Sequence, residues 1–141
     1  MPSPETESVL SANAAFYRAF ARRDLEAMDE LWATGSPVAC IHPGWDALRT
    51  REDVMESWGK ILANPESPSV EYSDATASLL GQTAFVITTE VIQGSELIAT
   101  NVFVREGGEW KMVHHHAGPL AGRRAPRKPK RSPPPPPRIL N

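Results

Sequence analysis

Gly107-Gly108-Glu109-Trp110-Lys111-Met112-Val113-His114-His115-His116-Ala117 is the stretch on which the reading of this chain turns. A glycine pair opens it, and a run suited to a strand leaving a tight turn follows. Side chains alternate between the two faces of a strand. Strict alternation puts Trp110, Met112, His114 and His116 on one face, and Lys111, Val113 and His115 on the other. With Gly107-Gly108 as a two-residue hairpin turn, Asn101 is expected opposite His114, Phe103 opposite Met112 and Ala99 opposite His116. That face mixes aromatic and polar groups, as a ligand pocket does. The other face carries Ile98, Thr100, Val102, Val104 and Val113 and is too apolar to be left in water. A three-residue turn would exchange the faces of Ser95–Arg105.

Working back from the glycine pair, the alternating period holds as far as Ser69. Strands are expected over Val70–Leu79, Thr83–Gln93, Ser95–Arg105 and Glu109–Ala117, broken at Gly81-Gln82, Gly94 and Gly107-Gly108. Such short connections imply an antiparallel meander, because parallel strands need long crossovers. Before Ser69 the period is helical. Ser3 caps a helix from about Pro4 to Ala21, with Val9, Asn13, Phe16 and Phe20 on one stripe. Asp24 caps a short second helix that buries Leu25, Met28, Leu31 and Trp32. Val38 to His42 is a short apolar strand, stopped by Pro43-Gly44. Thr50 opens a third helix, with Asp53 in a variant capping box and Val54, Trp58, Ile61 and Leu62 on its apolar face. Helices first and strands afterwards define an α+β domain.

The 141 residues suit one domain, residues 1–118, followed by a tail of different composition, residues 119–141. The net charge of −2 conceals a division between the two. Seven basic residues and no acid lie beyond Gly118, which leaves eight basic against 17 acidic residues before it, a body near −9. An acidic body does not favour nucleic acid. The basic tail, with its proline run Pro133 to Pro137, reads as disordered, with weak contact to nucleic acid or an acidic surface as a further reading. No apolar run suits a bilayer, and the first residues lack a signal pattern, so a cytoplasmic location is expected. The single cysteine, Cys40, lies in the apolar run Val38-Ala39-Cys40-Ile41 and reads as a buried structural thiol.

The motif Phe-x-x-Ala-Phe-Ala-Arg-Arg-Asp-Leu-Glu-Ala-Met at the first turn, with the glycine-tryptophan-histidine ending, resembles the nuclear transport factor 2-like superfamily. More closely, the chain is similar to its SnoaL-like, ketosteroid-isomerase-like branch, over roughly Val9 to Gly118. The resemblance implies a cone: a curved antiparallel sheet around three helices, an open pocket, and a homodimer through the outer face of the sheet. It implies a small-molecule ligand and no cofactor. Function is left open, because the superfamily holds isomerases, cyclases, hydratases and non-catalytic association domains.

Several residues are candidates for a site. His42-Pro43 stands where the isomerases carry an aspartate base and proline, and a histidine can also move protons near neutral pH. The isomerases complete their site with a tyrosine and a protonated aspartate. The tyrosine position falls on Phe16, with Tyr17 one step away, and the aspartate falls near Thr100-Asn101, so steroid isomerisation is not expected. The expected catalytic pair is His42 and His116, acting as acid and base. Tyr17, Trp45, Trp58, Asn101 and His114 are the expected ligand-binding set. For the histidines two other readings stand beside this one: satisfied side chains supporting the sheet, or a metal site, for which the spacing of other ligands is unconvincing. The functional readings are cofactor-independent proton transfer on a small molecule, or a non-catalytic binding or association domain.

Overall fold

The computed structural model describes residues 3–121; most of the expected basic tail, from residue 122 onward, lies outside them. The order is α1 (Pro4–Arg22), α2 (Leu25–Leu31), β1 (Ala39–Ile41), α3 (Arg51–Ala63), β2 (Val70–Leu80), β3 (Thr83–Ile92), β4 (Ser95–Glu106) and β5 (Glu109–Pro119). Each helix starts where a short polar side chain can take up an unpaired amide. Ser3 accepts from Thr6 N, Asp24 from Ala27 N and Thr50 from Asp53 N, all at 3.0–3.1 Å. At the end of α1, Arg23 adopts a left-handed conformation, with φ of 54°. Its guanidinium then reaches the carbonyls of Asn64 (2.7 Å) and Ser67 (2.6 Å), tying the end of α1 to the loop after α3.

The sheet order is β1-β5-β4-β3-β2. The expected antiparallel meander is present, and β1 joins it by pairing parallel to β5. Three helices packed on one five-stranded sheet give the expected α+β cone. The core lies between them, with Phe16, Met28, Trp32, Trp58, Phe103 and Met112 at 0–1 % exposure.

The turn at Gly107-Gly108 is the two-residue turn expected: Glu106 pairs with Glu109, and Phe103 with Met112. Beyond that the register departs from strict alternation. Val102 pairs with His114 while Phe103 pairs with Met112, so Val113 is an extra residue, a β-bulge. One extra residue reverses the faces of all that follows. His115 and Ala117 join Trp110 and Met112 on the inner face, at 3 % and 2 % exposure. His114 and His116 turn to the outer face, where His116 is exposed. Asn101 accordingly pairs with His115 rather than His114, and Ala99 with Ala117 rather than His116. Ile98, Thr100, Val102 and Val104 are on the outer face as expected, with Ile98 38 % exposed.

Candidate functional site

The interior of the cone holds a connected group of polar side chains drawn from α1 and from three strands of the sheet. α1 contributes Asn13 and Tyr17, one helical turn apart and therefore on the same face. β3 contributes Glu90, β4 Asn101 and β5 His115; all five are at most 3 % exposed. Buried polar groups are costly unless bonded, and these form a connected chain. Tyr17 Oη donates to Glu90 Oε2 at 2.5 Å. Asn101 Nδ2 donates to Tyr17 Oη at 3.2 Å and to Asn13 Oδ1 at 2.8 Å. Asn101 Oδ1 stands 2.6 Å from His115 Nδ1. Tyr72 of β2 stacks on Tyr17 with ring centroids 4.4 Å apart.

A second histidine completes the interior. The alternation that buries Cys40 on β1 also turns His42 inward, to 5 % exposure. Its Nε2 is 2.9 Å from Ser57 Oγ on α3. Trp58, fully buried, packs near both histidines, 4.9 Å from the His42 ring and 6.2 Å from the His115 ring. Its indole Nε1 is buried without a hydrogen-bond partner among the described residues, as are Asn13 Nδ2 in the polar group and the Trp32 and Trp110 indoles outside it.

Burial sets the charge state of this group. It lowers His42 to about 4. It lowers His115 to about 3, with repulsion from His42, His114 and His116 adding to the effect. Both imidazoles are therefore neutral at neutral pH. Burial raises the Glu90 carboxyl, against the opposing effect of the Tyr17 hydrogen bond, and it raises the Tyr17 phenol further from ionisation. The Cys40 thiol, pushed up to about 12 chiefly by burial, is inert as a nucleophile. No lysine or arginine among the described residues is buried. The interior thus holds two neutral imidazoles beside the Tyr17–Glu90 pair and, among the described residues, no buried lysine or arginine.

Of the residues expected at a site, the structure brings Tyr17, His42, Trp58 and Asn101 together. His114 and His116 are separated from them: their rings lie 6.2 Å apart on the other face of the sheet, because of the Val113 bulge. His116 therefore does not converge with His42. Trp45 is 47 % exposed and touches the site only by its edge, 4.8 Å from the His42 ring. Glu90, Ser57 and His115 were not expected there. Glu90 had a signal: it is the one charged residue in the apolar strand Ala84-Phe85-Val86-Ile87-Thr88-Thr89-Glu90-Val91-Ile92, on the same face as Val86. Among the described residues no group of three or more His, Cys, Asp or Glu side chains is placed to hold a metal ion. Three surface grooves, beside α1 and α2, beside the β3–β4 turn and beside Arg51, are lined by none of the interior polar residues.

A polar group inside a cone of three helices and a curved sheet is the architecture of the nuclear transport factor 2-like superfamily. The chain belongs to its SnoaL-like branch: the SnoaL-like domain model matches residues 9–121. An NTF2-like structure from Streptomyces avermitilis, described as a "putative dehydratase", is 36 % identical, with a TM-score of 0.80 over 86 % of this chain and 100 % of its own. A "putative calcium/calmodulin-dependent protein kinase type II association domain" from Thiobacillus denitrificans is 32 % identical, with a TM-score of 0.69 over 85 % of this chain and 97 % of its own. Among curated proteins, the F-box protein SKIP8 of Arabidopsis thaliana is 28 % identical over 114 residues. The match takes in 79 % of this chain and 49 % of SKIP8, so the chain spans about half the length of that relative.

Proposed function

We propose that the interior of the cone binds a small uncharged organic molecule, and that His42 and His115 transfer a proton on it without a cofactor. The observation that carries this reading is the buried chain Glu90–Tyr17–Asn101–His115, with Trp58 packed near both His115 and His42. A core built only for stability has no need of five linked polar side chains, whose partial satisfaction would cost more than an apolar replacement. A neutral imidazole can accept a proton and return it as an imidazolium, and the Tyr17–Glu90 pair holds Asn101 in place behind His115. His115 takes the part that strict alternation assigned to His116. Tyr17, Asn101 and Trp58 contact the ligand, and Trp45 flanks His42 at the edge of the site. The Streptomyces neighbour described as a dehydratase agrees with chemistry of this kind.

The test is proton exchange. In deuterated buffer the protein should speed α-deuteration of 2-tetralone above the buffer rate. His42→Gln and His115→Gln should each reduce the rate at least about tenfold, in the range of general acid–base contributions, while His116→Gln keeps it. Loss of exchange in His116→Gln alone would contradict the assignment.

A second reading is favoured by a separate observation. The outer face of the sheet presents half-buried Phe85, Ile87 and Val102 and exposed Ile98, with no covering layer among the described residues. Such a face suits a homodimer, or an association domain like that named for the Thiobacillus neighbour. The two readings use opposite faces of one sheet and are compatible. A cytoplasmic location and a weak nucleic-acid contact by the basic tail remain part of the proposal on sequence grounds alone. No helix among the described residues is long and apolar enough to cross a membrane.

A further inference from the structure

Counting hydrogens inside the cone fixes more than charge. Ser57 has one hydroxyl hydrogen, and it goes to the Val54 carbonyl at 2.7 Å. Its oxygen can then only accept, and the group facing it at 2.9 Å is His42 Nε2. With the Ser57 oxygen accepting, Nε2 carries the single proton of that neutral ring, with Cys40 Sγ at 3.7 Å as a weak second acceptor, and Nδ1 keeps the lone pair. Asn101 Nδ2 spends its two hydrogens on Asn13 Oδ1 and Tyr17 Oη. Its oxygen can only accept, and His115 Nδ1 faces it at 2.6 Å. His115 therefore carries its proton on Nδ1 and keeps its lone pair on Nε2.

We propose that Asn101 and Ser57 are positioning residues that hold the two interior histidines in opposite tautomers, so that a bound molecule meets two proton-accepting nitrogens, His115 Nε2 and His42 Nδ1. The chain behind Asn101 makes the lock firm. Glu90 holds Tyr17, and Tyr17 with Asn13 prevents the Asn101 amide from turning over. Nothing comparable stands behind Ser57 beyond the Val54 carbonyl, so the lock on His42 is the weaker of the two.

The same count describes the ligand, resting on the reading of the interior as a binding site. Two imidazole lone pairs call for a ligand that donates hydrogen bonds. Trp58 Nε1 and Asn13 Nδ2, buried donors without a partner among the described residues, call for an oxygen that accepts them. A neutral molecule carrying both a hydroxyl and an acceptor oxygen meets these needs. A carboxylate or phosphate does not: it offers only acceptors, and no buried cation would offset the loss of its hydration.

The experiment is nitrogen-15 NMR of histidine-labelled protein at pH 7. In the unliganded chain His115 should show protonated Nδ1 and bare Nε2, and His42 the reverse. Asn101→Leu should abolish the single-tautomer pattern of His115 and leave that of His42. Ser57→Ala should do the converse. Two rings in the same tautomer, an imidazolium at either position, or patterns unmoved by both substitutions would overturn the proposal; should a variant misfold, the unsubstituted protein still decides. 2-Naphthol, neutral at this pH, should shift the His115 Nε2 and His42 Nδ1 signals at about one tenth of the 2-naphthoate concentration that does so, a factor worth ~1.4 kcal/mol. Equal response to naphthoate would overturn the ligand class. Silence with both probes, the tautomers being as stated, would count against the interior as a binding site and not against the tautomers.

Discussion

His42 and His115 are the residues at which function and stability meet. Burial lowers them from an ordinary value of 6.5 to about 4 and about 3. In the unfolded chain both imidazoles take up protons as the pH falls below 6.5, while the folded protein refuses them. Their contribution to stability is thus complete above 6.5 and is lost as the pH falls toward 4 and 3, on the order of a few kcal/mol for each ring. Chemical denaturation at pH 7.5 and pH 5 should show a marked fall in the unfolding midpoint. In His115→Gln that fall should be smaller, whatever the variant's stability at pH 7.5. An unchanged pH dependence would mean that His115 is not buried as described. Asn13 and Trp58 were visible in the sequence on helical stripes, and Tyr17 through its place one step from the isomerases' tyrosine. His115 was not, since its neighbours are chemically identical and only the register separates the three.

The Val113 bulge shows where reading by element stops. Helix starts were legible because Ser3, Asp24 and Thr50 cap through local chemistry, and strands were legible because glycines end them. The two-residue turn was also correct, and with it the pairing of Phe103 and Met112. A bulge leaves no local mark in Met112-Val113-His114, because its cause is the curvature required to wrap a sheet around helices. The expected pair His42 and His116 failed for that reason alone. The Arg23 junction is a test at this scale. A left-handed residue other than glycine costs ~1–2 kcal/mol, so Arg23→Gly relieves strain. It also removes charged hydrogen bonds to the Asn64 and Ser67 carbonyls, each of the class worth ~1.5–3 kcal/mol. The variant should be less stable by at least about 1 kcal/mol in urea unfolding. A gain in stability would show that those exposed bonds contribute nothing.

At the scale of the molecule, one five-stranded sheet serves two purposes. Its inner face gathers the polar chain, and its outer face carries Phe85, Ile87, Ile98 and Val102, the proposed interface. An aspartate placed in that outer layer, Val102→Asp, should convert a dimer to a monomer in sedimentation while the interior histidines keep their titration. An unchanged sedimentation coefficient would remove the outer face as the interface. The central claim, that the functional site is the interior and not the outer-face histidines of the last strand, is tested most directly by following all four histidine ring signals by NMR as 2-naphthol is added. His42 and His115 should shift together and saturably while His114 and His116 stay in place. Shifts confined to His114 and His116, with the inner pair unmoved at saturation, would contradict it.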